Sequence, residues 1–539
     1  MKHFFLIPIT FFNFGLQAQF FNNQLHKIDI LKYTFHLQIS DESDRINGET
    51  VIDFKVLQQV DNIHLNLKNK KGTKGMQVSQ VLDSDGNPLE FSHVHDTLTV
   101  RFSLPDSLPQ RYRIRVFYQG IPADGLYIKK NKYGKRTFFA DNWATRAQHW
   151  LPVIDHPSDK ALIEWIITAP RHYDVIASGR LVEKINTDNN FRYRYQTKVP
   201  YAIKVVVMAA ADFNIKHTGP LCLHRQAVPV SYWIYADSPV EAFADFNNTP
   251  EILQFYDSIV GAYPFQKLAN VQSNTLFGGM ENASNIFYDE KKVNGKHRIE
   301  KLVAHEISHQ WFGNSISEKN WSDIWLTEGF ATYLTDLYIE HKYGSEQLKK
   351  RLKNQRNKII LFNMYSHKPI VYTETKDLFK ILNPNSYEKG AWVLHMLRQK
   401  TGDEKFFKIL QTYYATYRNK NASTDDFIAI AEQVSGIDLQ VFFQQWLYRV
   451  GVPKLNITYR IDNRNIFIHI KQAGEVYVLD LPVRLQSNNN VVAVKTLHID
   501  KKQHTFNLKI PNDTNLNQLE VSFDPDVQLL IRKSISRKK

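Results

Sequence analysis

Two histidines four residues apart, with a glutamate beside the first, are the residues in this chain best placed to do chemistry. They form the run His305-Glu306-Ile307-Ser308-His309, and after eighteen intervening residues Glu328 stands in Trp325-Leu326-Thr327-Glu328-Gly329-Phe330. Positions i and i+4 of a helix share a face one turn apart, so both imidazoles can reach one ion. Glu306 points to the side of the first ligand, toward a water on that ion rather than the ion itself. Two imidazoles and one carboxylate leave a fourth position open, which separates a catalytic zinc site from a closed structural one. The bland alternative is two satisfied histidines on a buried helix and a solvated Glu328. Local context favours the metal. Leu302, Val303, Ile307 and Trp311 recur at helical spacing, and Gly313-Asn314 offers a stop. Ser322 predicts the N-cap of a second helix over about 322–342, with Glu328 in its first two turns.

Two further stretches carry candidate chemistry. Gly278-Gly279-Met280-Glu281-Asn282 lies about 25 residues before the metal helix. Paired glycines at a strand end let another backbone approach closely. A substrate strand could add there, with Glu281 facing its positive end. The same residues also suit a bulge followed by a surface glutamate. Tyr387-Glu388-Lys389-Gly390 opens a helix after Asn383-Pro384-Asn385. A tyrosine hydroxyl in a first helical turn can donate to a developing oxyanion, although most tyrosines so placed only pack.

The elements that must hold these residues fall into three blocks. From about 25 to 215 the chain alternates like strands, as in Tyr33-Thr34-Phe35-His36-Leu37-Gln38-Ile39, with turn signals at Asp85-Gly86-Asn87-Pro88 and Pro122-Ala123-Asp124-Gly125. The run from Ile203 to Ala211 predicts one strand buried on both faces. From about 220 to 450 the period becomes helical. Helices are predicted over 241–263, 386–400, 404–418, 424–434 and 439–448, with a capping box at Ser423-Thr424-Asp425-Asp426. After Gly451-Val452-Pro453, short strands return for about ninety residues, the pattern of a small β-sandwich. The fold class is therefore multidomain α+β. Its blocks are 19–217 (antiparallel β), 218–450 (a small sheet and a helical body carrying the catalytic residues) and 451–539 (sandwich).

Taken in this order, the three motifs resemble those of the aminopeptidase N and leukotriene hydrolase family of zinc metallopeptidases. The resemblance covers nearly all of the chain beyond the leader and implies a thermolysin-like middle domain. It implies one zinc ion on His305, His309 and Glu328, with Glu306 as general base and Tyr387 as the transition-state tyrosine. Glu281 matches the glutamate that binds the substrate's free α-amine. Gly278, Gly279, Met280 and Asn282 fall in the strand that aligns the peptide. The substrates so implied are peptides with a free N-terminus. Two departures stand out. Larger members carry a C-terminal helical domain over the active site, so a more open cleft, or one closed by a partner chain, is expected here. The family's usual Gln or Glu amine ligand in the β domain is replaced by Trp143, with Asn142 beside it. An endopeptidase on the same site, a non-catalytic scaffold and an epoxide hydrolase are the competing readings.

Length and composition bound the rest. At 539 residues the chain is too long for one core. The net charge of +14 is scattered outside a basic tail at 532–539, without the stripe and interleaved aromatics of a nucleic-acid binder. Lys2 and His3 precede an apolar run from Phe4 to Leu16, and Leu16-Gln17-Ala18 resembles a cleavage site. Residues 1–18 therefore read as a signal peptide, with export to the periplasm or medium. A single cysteine, Cys222, excludes an internal disulfide. No later apolar run reaches the length of a transmembrane helix. Oligomeric state is not written in the sequence.

Overall fold

The computed structural model describes residues 24–538, apart from 104–106, 225 and 374–376. The expected signal peptide thus lies outside the described residues. The chain divides into two compact units. One takes in Met1–Leu253, Tyr263–Gln310 and Asn419–Asn421; the other takes in Gln254–Ala262, Trp311–Arg418 and Ala422–Lys539.

The first unit is mostly strand. Ile46–Val56 pairs antiparallel with both Ile28–Gln38 and Gln110–Ile121, and Lys160–Pro170 joins Ile28–Gln38 in parallel. Alternation along these strands buries Tyr33, Phe35, Ile52, Phe54, Ile114 and Val116, as a half-solvated sheet requires. The run from Ile203 to Ala211 departs from expectation. It begins as a 3-10 turn over Ile203–Val205 and becomes strand only at Met208–Ala211. All of it is buried, and burial alone makes a turn and a strand look alike in sequence.

A second sheet in this unit runs in the order Phe213–Leu223, Gln226–Tyr235, Leu268–Ser273, Asn285–Asp289, Gly279–Met280. Phe213–Leu223 passes through position 217, where the sequence places a boundary. Leu268–Ser273 is buried at every residue and pairs in parallel on both sides. Gly279–Met280 is the edge, antiparallel to Asn285–Asp289. The helix predicted over 241–263 is instead a 3-10 turn, Val240–Phe246, followed by the helix Thr249–Val260. Pro250 has no N–H to offer a helix passing through it and fits only near the start of one.

The second unit is helical and then strand again. Trp325–Tyr343 is buried from Trp325 to Ile339. Ser322 is not its cap. Trp321–Asp323 forms a 3-10 turn, and Asn320 exchanges capping hydrogen bonds with Asp323. Ser423 and Asp426 do form the predicted capping box, at the head of Thr424–Ser435. Ser345–Phe362 is a helix that the hydrophobic pattern does not reveal. Its buried residues are Leu348, Leu352, Gln355 and Ile359, one per turn, in an otherwise polar and basic segment. Arg351 Nε and Gln355 Nε2 reach Asp336 at 2.5 and 2.8 Å and tie it to Trp325–Tyr343.

Trp325–Tyr343 and Gly390–Thr401 cross at glycines. A Cβ on Gly329 would stand 3.0 Å from the backbone of Gly390, so the two backbones touch where they cross. Gly329→Val is expected to force them apart and to destabilise the fold by about 1–3 kcal/mol, read as a lower melting temperature. An unchanged melt would show that the crossing tolerates side chains.

Beyond Tyr448, Lys454–Asp462 lies between Asn465–Ala473 and Arg532–Arg537, with Gln503–Lys509 outermost. A second sheet centres on Leu479–Ser487 between Asn490–Ile499 and Leu519–Phe523. No helix among the described residues is long and apolar enough to cross a membrane.

Candidate active site

Glu300–Ser308 buries Val303, Ala304, Glu306 and Ile307, and His309 follows at its end. The Nε2 atoms of His305 and His309 stand 3.2 Å apart, with their rings at 86°. Two nitrogens bound to one tetrahedral zinc at 2.0–2.1 Å stand about 3.3 Å apart, so the pair fits a shared ion. Glu328, the third expected ligand, is buried in the helix Trp325–Tyr343 of the second unit. Within the first unit Glu281, Glu306 and His309 each offer one ligand atom, and these atoms all lie within 4.8 Å of one another. Glu281 and Glu306 are both buried. Two buried carboxylates this close repel each other, and a cation, whether metal or ammonium, relieves that repulsion.

The glycine strand is pressed onto Glu306. A Cβ on Gly279 would lie 2.3 Å from Glu306 Oε1, whereas one on Gly278 would meet the flexible end of Lys292 at 2.7 Å. The two glycines therefore differ. Gly279→Ala is expected to displace the strand or the glutamate and to lower kcat/KM roughly ten- to a hundredfold. Gly278→Ala should change it little, because Lys292 can swing away. Equal effects in a steady-state assay would contradict this ranking.

Gln310 holds the stretch that follows. Its Nε2 donates to the Glu281 carbonyl at 2.9 Å, and its Oε1 accepts from the Ser284 N–H at 2.9 Å. The residue after the second histidine thus clamps Glu281–Ser284 to the end of the helix Glu300–Ser308. Its only signal in the sequence is that adjacency.

Trp143 is buried, edge-on to Phe277 at 6.2 Å, just before the glycine strand. Asn142 does not point to a substrate: it donates to the Val206 carbonyl and accepts from Trp150 Nε1. Nearby, Arg146 is buried and bonded to Asp141, the Tyr127 hydroxyl and the Trp143 carbonyl. Burial raises the Asp141 carboxyl to about 6; Arg146 opposes that rise and the charge of Glu281 adds to it.

Tyr387 lies in a π-helical turn, Asn385–Lys389, that leads into Gly390–Thr401. Two contacts from the unforeseen helix and its end brace the turn. Lys358 Nζ pairs with Glu388 Oε1 at 2.5 Å, and Asn363 Nδ2 donates to Asn385 Oδ1 at 2.8 Å. π-Turns inside helices concentrate at functional sites.

Two family models match the sequence, the peptidase M1 N-terminal domain over residues 30–202 and the peptidase family M1 domain over residues 244–446. The chain belongs to peptidase family M1. Among its relatives, glutamyl aminopeptidase of Sus scrofa is 26% identical over 432 residues, 74% of this chain and 44% of the relative. The Homo sapiens glutamyl aminopeptidase is 27% identical over 348 residues, 61% of this chain and 36% of its own length. A probable aminopeptidase 2 of Sulfurisphaera tokodaii is 24% identical over 404 residues, covering 71% and 49%. The M1 chain therefore spans about half the length of these curated relatives or less. A solved M1 zinc metallopeptidase of Deinococcus radiodurans, a mutant bound to a Tyr-Ser-Ala substrate, shares the fold. Its TM-score is 0.70 at 21% identity, over 79% of this chain and 95% of that one.

In this M1 chain Gln310 braces the glycine stretch and Lys358 braces the tyrosine turn, and neither belongs to a motif. They are chosen by what touches them in three dimensions.

Proposed function

We propose that this chain is a zinc-dependent aminopeptidase that hydrolyses the first peptide bond of peptides with a free N-terminus. One zinc ion would be held by His305, His309 and Glu328. The observation that carries the reading is the grouping of Glu281, Glu306 and His309 within 4.8 Å, with Gly279 so close to Glu306 that no side chain fits there. That grouping sets an acid for the ammonium one residue-length from the acid that handles the proton.

Zinc bound there supplies a water of lowered pKa and a Lewis acid for the scissile carbonyl. The chain does the rest. The open edge at Gly279–Met280 pairs with the substrate backbone and fixes its register. Glu281 takes the α-ammonium, and an internal peptide, lacking that charge, would leave the carboxylate uncompensated. Glu306 accepts the proton from the attacking water and returns it to the leaving amine. Tyr387 donates to the oxygen that gains charge. The two C-terminal sheets would be the layers of a sandwich, and residues 1–18 a leader for export.

A panel of fluorogenic aminoacyl substrates, each with an N-acetylated counterpart, tests the reading. The panel should include a glutamyl member because of the relatives' names. Chelator-sensitive turnover of the free forms alone is expected. Equal cleavage of blocked peptides would instead support the second reading, an endopeptidase, which the tryptophan at position 143 favours. N-terminal sequencing of exported protein should begin at Gln19, and a retained Met1 would remove the leader.

A further inference from the structure

A pocket of about 320 Å³ lies in the first unit, is mostly apolar, and is lined by none of the candidate site residues above. Tyr193, Tyr195, Ile215 and Trp233 line it, with Leu181 at its mouth and Lys267 in its wall. The wall rings are held by hydrogen bonds. Tyr193 and Tyr195 commit their hydroxyls to the Tyr173 and Val175 carbonyls at 3.0 and 2.6 Å, and Trp233 Nε1 donates to Ser231 Oγ at 2.9 Å. Their polar atoms are thus spent elsewhere, and their ring surfaces remain for an occupant.

Lys267 is the unusual member. Its ammonium donates to the Ala177 carbonyl at 3.2 Å and to Asn285 Oδ1 at 2.5 Å, and lies 5.3 Å from the centre of the Tyr195 ring. Both acceptors are neutral, and among the described residues no carboxylate pairs with it. Burial pushes its amine down to about 7, as expected of a lysine without a counter-charge. An ammonium has three donors, so one is left over. The other charges on the lining are mainly positive. Lys184 sits over the rings of Phe191 and Tyr193 at 4.3 and 4.9 Å, and Arg180 and His217 are exposed. Asp174 is the one acid there; burial raises its carboxyl above the usual range, and Lys184 offsets only part of that rise.

We propose that this pocket binds a small organic carboxylate with an apolar body, its acid group on Lys267 and its body against Tyr195 and Trp233. One sunken cation with one donor to spare matches a single negative charge. A phosphate would bring more charge and more acceptors than the depth of the pocket can meet. The volume is at the small end for ligand sites and suits an aromatic residue's free carboxyl end or a medium-chain fatty acid. The proposal does not depend on the peptidase reading.

Calorimetric titration of the full chain tests it, with N-acetylphenylalanine and octanoate as the two sources of that chemistry and their amides as controls. At least one acid should bind ten times or more tighter than its amide, and which one binds identifies the source. The binding should be lost in Lys267→Met. Pro229→Trp, an exposed change at the rim, should also block it and decides the matter if Lys267→Met does not fold. The proposal is overturned if neither acid binds, if an amide binds as well as its acid, or if binding survives the variants.

Discussion

Glu306→Gln should keep its zinc and its melting temperature and lose about 10²–10⁴-fold in kcat, the contribution of a positioned general base. The substitution preserves shape, and Glu306 is only 4% exposed, so the amide fills the space of the acid. What it cannot do is accept the water's proton at neutral pH. The geometry gives the carboxylate no slack, because the backbone of Gly279 sits directly over it. The measurement is kcat beside a metal assay on the same preparation. Retained turnover would remove Glu306 as the base. Loss of the metal along with activity would make it a ligand instead.

Tyr387→Phe is expected to lower kcat by about 10²–10³-fold, the usual loss when one donor to a developing oxyanion is removed, while KM stays near its wild-type value. The split matters. A tyrosine that only packs would change stability, and one that binds the ground state would change KM. The bracing of its turn offers a graded companion. Lys358→Ala removes the pair with Glu388 without touching Tyr387, so it should lower kcat far less and leave the melt nearly unchanged, since Lys358 is largely exposed in that pair. If Tyr387→Phe is silent, the hydroxyl has no part in the chemistry. If Lys358→Ala matches it, the bracing rather than the hydroxyl controls the rate.

What the sequence determined by itself was the set of candidate residues and the change of period. The i, i+4 histidines with Glu306, the later Glu328, the paired glycines and the helical spacing of Val303 and Ile307 are local patterns, and a regular helix or strand converts local spacing directly into geometry. The tertiary structure alone decided the joints and supports. It decided that 203–211 turns before it extends, that Pro250 splits a predicted helix, and that Ser322 falls in a 3-10 turn capped by Asn320 rather than at the head of Trp325–Tyr343. It alone shows that the basic segment 345–362 is a helix. Its stripe of one buried residue per turn is too thin to stand out in sequence, and its anchor, Asp336, lies on another helix. It also ranks Gly279 above Gly278, and it makes Gln310 the clamp on Glu281. Those distinctions depend on which atoms meet across long stretches of chain, and no periodicity along the chain encodes that.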